Sequence, residues 1–185
     1  MKATGIVRRI DDLGRIVIPK EIRRTLRFRE SDPIEIFTGG DGEIILKKYS
    51  PIGELGTFAR QYAETLAQTT GHIVCVTDRD RVIAVSGGDK KNLLGKSISR
   101  GLEEAIEDRE NISAKKGERE FINITNDAQA NMEDYQEQVV SPILCEGDAI
   151  GAVIITSRDA KCKFGDAEKK LVHSAAAFLG KQMES

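Results

Sequence analysis

The sequence has no tryptophan, few other aromatic residues, and only three cysteines and two histidines. Cys75, Cys145 and Cys162 are odd in number, far apart and without CxxC spacing, so they support neither a disulfide framework nor a zinc site. No apolar run reaches the roughly 18 residues of a membrane span, and the polar N-terminus lacks the apolar segment of a signal peptide. We expect reduced thiols and a cytoplasmic protein with no metal, no cofactor and no membrane contact.

Residues that could carry catalysis are not arranged for it. Gly95-Lys96-Ser97 precedes a predicted helix, but the glycine that a phosphate-binding loop needs five positions earlier is Lys90. His72 and His173 have no carboxylate or cysteine at helical or hairpin spacing, which favours structural or surface roles over metal binding. Ser86 lies in Val-Ser-Gly rather than in a nucleophile elbow. We therefore predict that the protein is not an enzyme.

Charge is distributed unevenly along the chain, although its net value is only −2. Residues 1–29 hold nine Lys or Arg against three acidic residues, a local balance of +6. Residues 51–185 hold 17 basic and 22 acidic residues, a balance of −5. Such asymmetry predicts an N-terminal segment that binds a polyanion, with a basic solvated surface as the alternative.

The first 50 residues predict short strands around one short helix. Strand patterns cover 4–10 and 15–18, with a turn between them, and Pro19 suits the first position of a helix that continues to Leu26. Residues 34–37 and 43–47 predict a hairpin. A module this short buries too little surface alone and has no disulfide or metal, so we expect two copies to pool their strands in one barrel.

The rest of the chain has a different pattern. Ser50-Pro51 marks a helix start, and the helix that follows carries an apolar stripe to Gly71, either packing against its copy in a dimer or covering a sheet. Strands are predicted at 72–77, 81–86, 138–145 and 149–156, and helices at 98–108 and from Asp166 onward. The fold class is α+β. The predicted domains are 1–50, a linker helix at 51–71 that is also the first helix of the second domain, and 72–185.

The predicted strand and helix of the N-terminal segment would bring its basic residues together. Lys20, Arg23, Arg24 and Arg27 recur at three- and four-residue spacing along one side of the predicted helix, and Arg8 projects from the first predicted strand. A two-fold dimer would double the array. The planar fork of arginine suits phosphate oxygens and guanine edges alike, and strands are known to enter DNA grooves.

Two parts of the sequence resemble known families. The run KATGIVRRIDDLGRIVIPKEIRRTL, residues 2–26, resembles the swapped-hairpin DNA-binding module of the AbrB family of transition-state regulators. Residues 81–87 (RVIAVSG), 95–98 (GKSI), 142–143 (PI) and 147–153 (GDAIGAV) are similar to the GAF-like domain that follows this module in sporulation regulators of endospore-forming bacteria. The resemblance implies a swapped-hairpin β-barrel formed by dimerisation, a linker helix, and a GAF-like antiparallel sheet with helices.

The resemblance also implies a function and a set of site residues. It implies an activator and repressor of late forespore genes, bound to double-stranded DNA on the nucleoid, dimeric through the N-terminal domain and tetrameric through the C-terminal one. The implied DNA contacts are Arg8, Arg15, Arg23 and Arg24, with Arg9, Lys20 and Lys2 as further candidates. Ser31 stands where the family would have a turn glycine. The GAF-like part lacks the asparagine–lysine–phenylalanine signature of cyclic-nucleotide binders, which leaves its effector open.

Two other functions remain open as alternatives to DNA-binding regulation. The AbrB-like barrel is also the dimer core of antitoxins, whose partner is a toxin protein, but an antitoxin has a short acidic extension where this chain has a patterned domain. The other alternative is a regulator whose DNA binding is gated by a small molecule in the GAF-like domain.

Overall fold

A computed structural model describes residues 4–50, 52, 56–126 and 135–184 as an α+β fold. Contacts divide the chain into two compact units, residues 1–49 and residues 50–185, here called the N-terminal unit and the C-terminal unit. None of the helices in the described ranges combines the length and the apolar character that a membrane crossing requires.

The N-terminal unit consists of one short helix and one hairpin. Helix α1 spans Lys20–Thr25, and strands β1 (Ile34–Thr38) and β2 (Ile44–Lys48) pair antiparallel with Ile36 opposite Leu46. A single 3-10 turn, Gly40–Gly42, joins the two strands. The hairpin predicted from the alternating pattern is therefore present.

The strands predicted at 4–10 and 15–18 are wrong for the single chain. Neither described segment belongs to a strand, and between them lies a turn in which the Asp11 amide donates to the Arg15 carbonyl at 3.0 Å. A strand is defined by hydrogen bonds to a neighbour, and the barrel prediction takes those neighbours from a second copy. Helix α1 also ends earlier than predicted, because the chain turns at Arg27, whose φ is 55°.

The N-terminal unit has no apolar core of its own. Among its described residues only Pro19 is fully buried. Large aliphatic side chains stand exposed instead: Ile6, Val7, Ile10, Leu13, Ile16, Val17, Leu26, Ile36 and Ile44. A single copy of this unit thus leaves most of its apolar surface in water.

The C-terminal unit is a five-stranded antiparallel sheet between two helical layers. Its strands are β3 (Ile73–Asp78), β4 (Val82–Ser86), β5 (Ile112–Lys115), β6 (Glu137–Cys145) and β7 (Asp148–Ser157), in the order β4-β3-β7-β6-β5. Its helices are α2 (Gly56–Thr70), α3 (Lys90–Leu93), α4 (Arg100–Glu107) and α5 (Asp166–Met183). Strand β5 and helix α3 were not predicted, whereas the other elements lie within a few residues of the sequence pattern.

Two apolar clusters fill the two faces of this sheet. On one face α2 and α5 bury Ala63, Val172 and Leu179. On the other, α3 and α4 bury Leu93 and Leu102 among strand side chains. Burial of the α2 stripe in the first cluster shows that the helix predicted at 51–71 covers the sheet.

Glycine sets the spacing between α5 and the sheet. A Cβ atom on Gly180 would overlap the carbonyl oxygen of Leu144 in β6. Since any side chain would push the helix away, Gly180 lets the C-terminal half of α5 lie directly on the strand backbone.

Candidate nucleic-acid interface

The turn before α1 presents one predicted DNA contact, Arg15. The Asp11 carboxylate accepts hydrogen bonds from the Leu13 amide at 3.0 Å, the Arg15 amide at 2.7 Å and the Arg15 guanidinium at 2.8 Å. These bonds, the one from the Arg15 amide foremost, hold the pKa of Asp11 below its usual value. Gly14 adopts a φ of 75°, which suits glycine. Arg15 is thus held at the turn with its side chain 69% exposed.

Helix α1 carries three more candidates on an exposed surface. Lys20 lies in its first turn, and Arg23 and Arg24 lie in its last, where cations interact favourably with the helix dipole. Pro19, predicted as the first helical residue, occupies the N-cap position instead, so the helix begins one residue later at Lys20. The basic side chains of the helix are therefore available to a partner.

The remaining candidates come from the segment before the turn. Arg8 lines an apolar cavity of about 240 Å³ together with Ile16 and Ile22, so the structure brings Arg8 beside α1. Arg9 is exposed. Lys2 lies outside the described residues. The N-terminal unit thus exposes Arg8, Arg9 and Arg15, of which Arg8 lies beside α1.

Arg27 does not belong to the basic stripe that the spacing predicts. It lies beyond the end of α1, is half-buried, and its carbonyl oxygen accepts a hydrogen bond from Lys48 Nζ at 3.0 Å. The same Nζ lies 3.0 Å from the Asp32 carboxylate, whose side chain is only 1% exposed. Asp32 also accepts from the Arg29 amide at 2.7 Å. These residues join the turn after α1 to β2, and sequence reasoning missed them because no local pattern links positions so far apart.

The N-terminal unit offers charge rather than catalytic chemistry. Six described candidates, all Arg or Lys, are exposed on a segment whose balance is +6. Arginine forks can bind phosphate oxygens and base edges, and clustered cations attract a polyanion. This arrangement is suited to binding nucleic acid.

The loop at Gly95-Lys96-Ser97 is hydrogen-bonded to strand β4. The Gly95 amide donates to the Val82 carbonyl at 2.8 Å, and the Lys96 carbonyl accepts from the Val82 amide at 2.9 Å. A phosphate cradle needs its amides directed at the ligand. The Gly95 amide is therefore not available for that purpose.

The C-terminal unit contains thiols and polar clusters that the sequence did not predict as sites. Burial raises the pKa of the Cys75 thiol to about 12. Beside it, Tyr135 donates to Asp89, which also pairs with Arg158. In the part of the chain that the structure describes, no three His, Cys, Asp or Glu side chains are grouped as metal ligands would be.

Comparison with solved structures identifies the class of the C-terminal unit. The blue-light absorbing form of the PixJ GAF domain of Thermosynechococcus elongatus superimposes with a TM-score of 0.59 over 74% of this chain and 89% of that one, at 12% identity. The GAF domain region of a Geobacter sulfurreducens membrane protein gives a TM-score of 0.54 over 71% and 93% of the two chains, at 16% identity. The protein is thus a GAF-fold protein with a basic N-terminal unit, as the sequence predicted.

The family follows from sequence comparison. Residues 54–184 match the family model described as stage V sporulation protein T C-terminal, transcription factor. Over 184 residues the chain is 54% identical to stage V sporulation protein T of Bacillus subtilis (strain 168), covering 100% of this chain and 99% of that protein. The chain belongs to the stage V sporulation protein T family, which confirms the resemblance drawn from the sequence.

The N-terminal unit has relatives of its own. It is 61% identical over 51 residues to the transition state regulatory protein AbrB of Bacillus subtilis (strain 168), covering 28% of this chain and 52% of that protein. Residues 7–54 also match the model described as antidote-toxin recognition MazE, bacterial antitoxin. Because the longer match at 54–184 is to a transcription-factor family, the antitoxin alternative is not favoured.

Proposed function

We propose that this protein is a DNA-binding regulator that activates some late forespore genes and represses others, without enzymatic activity. The observation that carries the proposal is the group of exposed Arg and Lys side chains on the N-terminal unit, in a family of transcription factors. Residues 1–50 bind DNA, and residues 72–185, with the linker helix predicted at 51–71 as their first helix, serve regulation and assembly. The protein acts in the cytoplasm of the forespore, on the nucleoid.

Phosphate contacts supply most of the affinity in this mechanism. Arg8, Arg15, Arg23 and Arg24 contact DNA, supported by Arg9, Lys20 and Lys2. Eight arginines in a dimer would release about eight counterions, so log K should fall with log salt at a slope of about −7. Guanine edges in the major groove supply selectivity through the bidentate fork.

Measurement of duplex affinity against salt tests the proposal. Arg23→Ala removes two contacts per dimer, so it should weaken binding and make the salt slope shallower by about two, with little loss of stability because the side chain is exposed. Arg119→Ala is the matched control, since Arg119 is also an exposed arginine and lies in the C-terminal unit. A slope near zero for the wild-type protein, or equal loss in both variants, would refute DNA binding through these residues.

We propose that two N-terminal units form one barrel. The support is the set of nine large aliphatic side chains that a single unit leaves exposed, Val7 at 85% among them. Water contact with so much apolar surface is unfavourable, and a second copy with the same surface can cover it by two-fold symmetry. The segments at 4–10 and 15–18 would then find their strand partners in the other chain.

The C-terminal unit is proposed to join two dimers into a tetramer. Phe178 stacks on Phe58 at 5.8 Å and on Tyr62 at 5.4 Å between ring centroids, and 40% of Phe178 remains exposed. This aromatic group on α2 and α5 offers an apolar contact to a second copy. Sedimentation should show a dimer for Phe178→Ala and a tetramer for the wild type; equal masses would refute this use of Phe178.

A small-molecule effector in the C-terminal unit is the remaining part of the proposal. The sheet of the C-terminal unit has helices on both faces, and a cavity of about 350 Å³ lies beside its helix α5. Thermal-shift screening of the full chain against metabolites tests it, and a blank screen would favour a purely structural role for this unit.

A further inference from the structure

A groove of about 350 Å³ lies between α5 and the strands β5 and β6 of the C-terminal unit. Ile112, Val139 and Val140, all buried, are among its lining residues. Of these, Val139 turns its side chain to the sheet face that α5 covers, whereas Ile112 and Val140 belong to the cluster under α3 and α4. The size of the groove falls within the range of pockets that hold small organic molecules. All of its lining residues belong to the C-terminal unit, and none of them is a candidate DNA contact.

The groove results from the way α5 lies across the sheet. At its C-terminal end α5 is close to β6, because Gly180 meets the backbone of Leu144 without a side chain between them. Near its N-terminal end the helix presents Lys169 and His173 toward β6 and the edge strand β5 instead. At the N-terminal end of α5, long side chains instead of a glycine stand between the helix and the strands. The space that they leave open is the groove.

The polar groups at the groove are cationic or hydrogen-bonding. Lys169 and Lys170 supply two ammonium groups, and none of the lining residues is acidic. Ser141, only 2% exposed, donates its hydroxyl proton to Asn111 Oδ1 at 2.7 Å. Since a hydroxyl has one proton, the 3.4 Å contact between Ser141 Oγ and His173 Nδ1 requires the ring nitrogen to donate. The Ser141 hydroxyl therefore fixes both Asn111 and the His173 ring at the wall of the groove.

We propose that this groove binds a small organic monocarboxylate with an apolar body. The body packs on Val139 and on the aliphatic stems of the lysines, and the carboxylate lies toward the two ammonium groups, where charge complementarity orients it. A neutral molecule of the same shape lacks the second interaction, and an inorganic anion lacks the first. The proposal gives a place and a ligand class to the effector of the proposed function and rests on that function only for a regulatory consequence.

Methyl NMR of the full chain tests the proposal with benzoate as the probe. Benzoate at millimolar concentration should shift the methyl signals of Val139 in a saturable way, with smaller shifts at Ile112 and Val140, whose side chains face the other side of the sheet. Benzamide, its neutral isostere, should bind about tenfold more weakly, and inorganic phosphate should leave these methyl signals in place. Absence of saturable shifts with benzoate, or equal affinity for benzamide, would overturn the proposal without the need for any variant.

A pair of variants tests the role of the lysines. Lys169→Met together with Lys170→Met keeps the aliphatic stems and removes both charges, and should weaken benzoate binding about tenfold. Lys163→Met is the control, since Lys163 is exposed but does not line the groove. Equal benzoate affinity in the double variant and the control would overturn the assignment of the carboxylate to these lysines.

The same samples separate this inference from the proposed function. Duplex DNA binding measured without benzoate reports on the N-terminal arginines alone. Loss of the methyl shifts with intact DNA binding would overturn the groove proposal, and failure to bind DNA with intact methyl shifts would overturn the proposed function.

Discussion

Removal of the buried carboxylate at Asp32 should destabilise the N-terminal unit more than any exposed charge change in it. Asp32 lies 3.0 Å from Lys48 Nζ and accepts from the Arg29 amide at 2.7 Å. The two side chains are only 1% and 17% exposed. Asp32→Ala leaves an ammonium and an amide without the carboxylate that they now share, so its cost includes their desolvation.

The magnitude follows from burial. Breaking a buried ion pair by removing one partner costs about 3 to 5 kcal/mol, and we expect the lower end because Lys48 keeps some solvent contact and its bond to the Arg27 carbonyl. Lys48→Met should cost a similar amount. The double variant should lose less than the sum of the two, by about 1 to 2 kcal/mol, because neither partner is then left alone.

Native-state hydrogen exchange of the β1 and β2 amides measures the free energy of opening in this unit without interference from the C-terminal unit. Glu30→Gln is the control, an exposed acidic residue in the same turn, and should change the free energy by less than about 0.5 kcal/mol. Loss in Asp32→Ala no larger than in Glu30→Gln, or strict additivity of the two single changes, would refute the reasoning.

Three further predictions concern the backbone, helix packing and ionisation. Ser31→Gly should stabilise the N-terminal unit by about 0.5 to 1 kcal/mol by hydrogen exchange, because Ser31 has a φ of 65°; a loss would show that the hydroxyl is needed. Gly180→Ala should destabilise the C-terminal unit by more than about 3 kcal/mol in denaturant unfolding, since its Cβ would overlap the Leu144 carbonyl. Gly56→Ala, with open space around the new Cβ, should instead stabilise the unit by up to about 1 kcal/mol; similar effects at both glycines would contradict the close-approach explanation. Since burial raises the pKa of Cys75 from 9.0 to about 12, its contribution to stability is complete below pH 9 and is lost as pH rises toward 12. The free energy of unfolding should therefore fall by about 1.4 kcal/mol per pH unit in that window from this group, and a Cys75→Ala variant with an unchanged slope would disprove the assignment.

The sequence predicted those strands and helices that show a residue pattern within a single element. The β6 and β7 hairpin was found because two largely apolar runs flank Glu146-Gly147, which both adopt positive φ. The apolar stripe on α5 was equally clear. Strand β5, with four residues, and helix α3, also with four, are too short to show a period.

Features that depend on distant contacts were not predicted. Arg27 looked like a member of the helical stripe, yet its carbonyl is bound by Lys48, which only the folded turn brings near. The groove on the C-terminal unit combines Ser141 from a strand with His173 and two lysines from α5. Spacing within one element cannot reveal such a group, whereas the exposed residues Arg15, Arg23 and Arg24 could be named because they lie within one short motif.

The exposed aliphatic surface of the N-terminal unit has a consequence for the lifetime of the chain in the cell. Under the proposed pairing, a newly made chain that has not met a copy displays Val7, Val17 and Ile36 to chaperones and proteases that recognise apolar segments. Its survival then depends on how much of the protein is present, so the amount of active regulator should rise more steeply than the rate of synthesis.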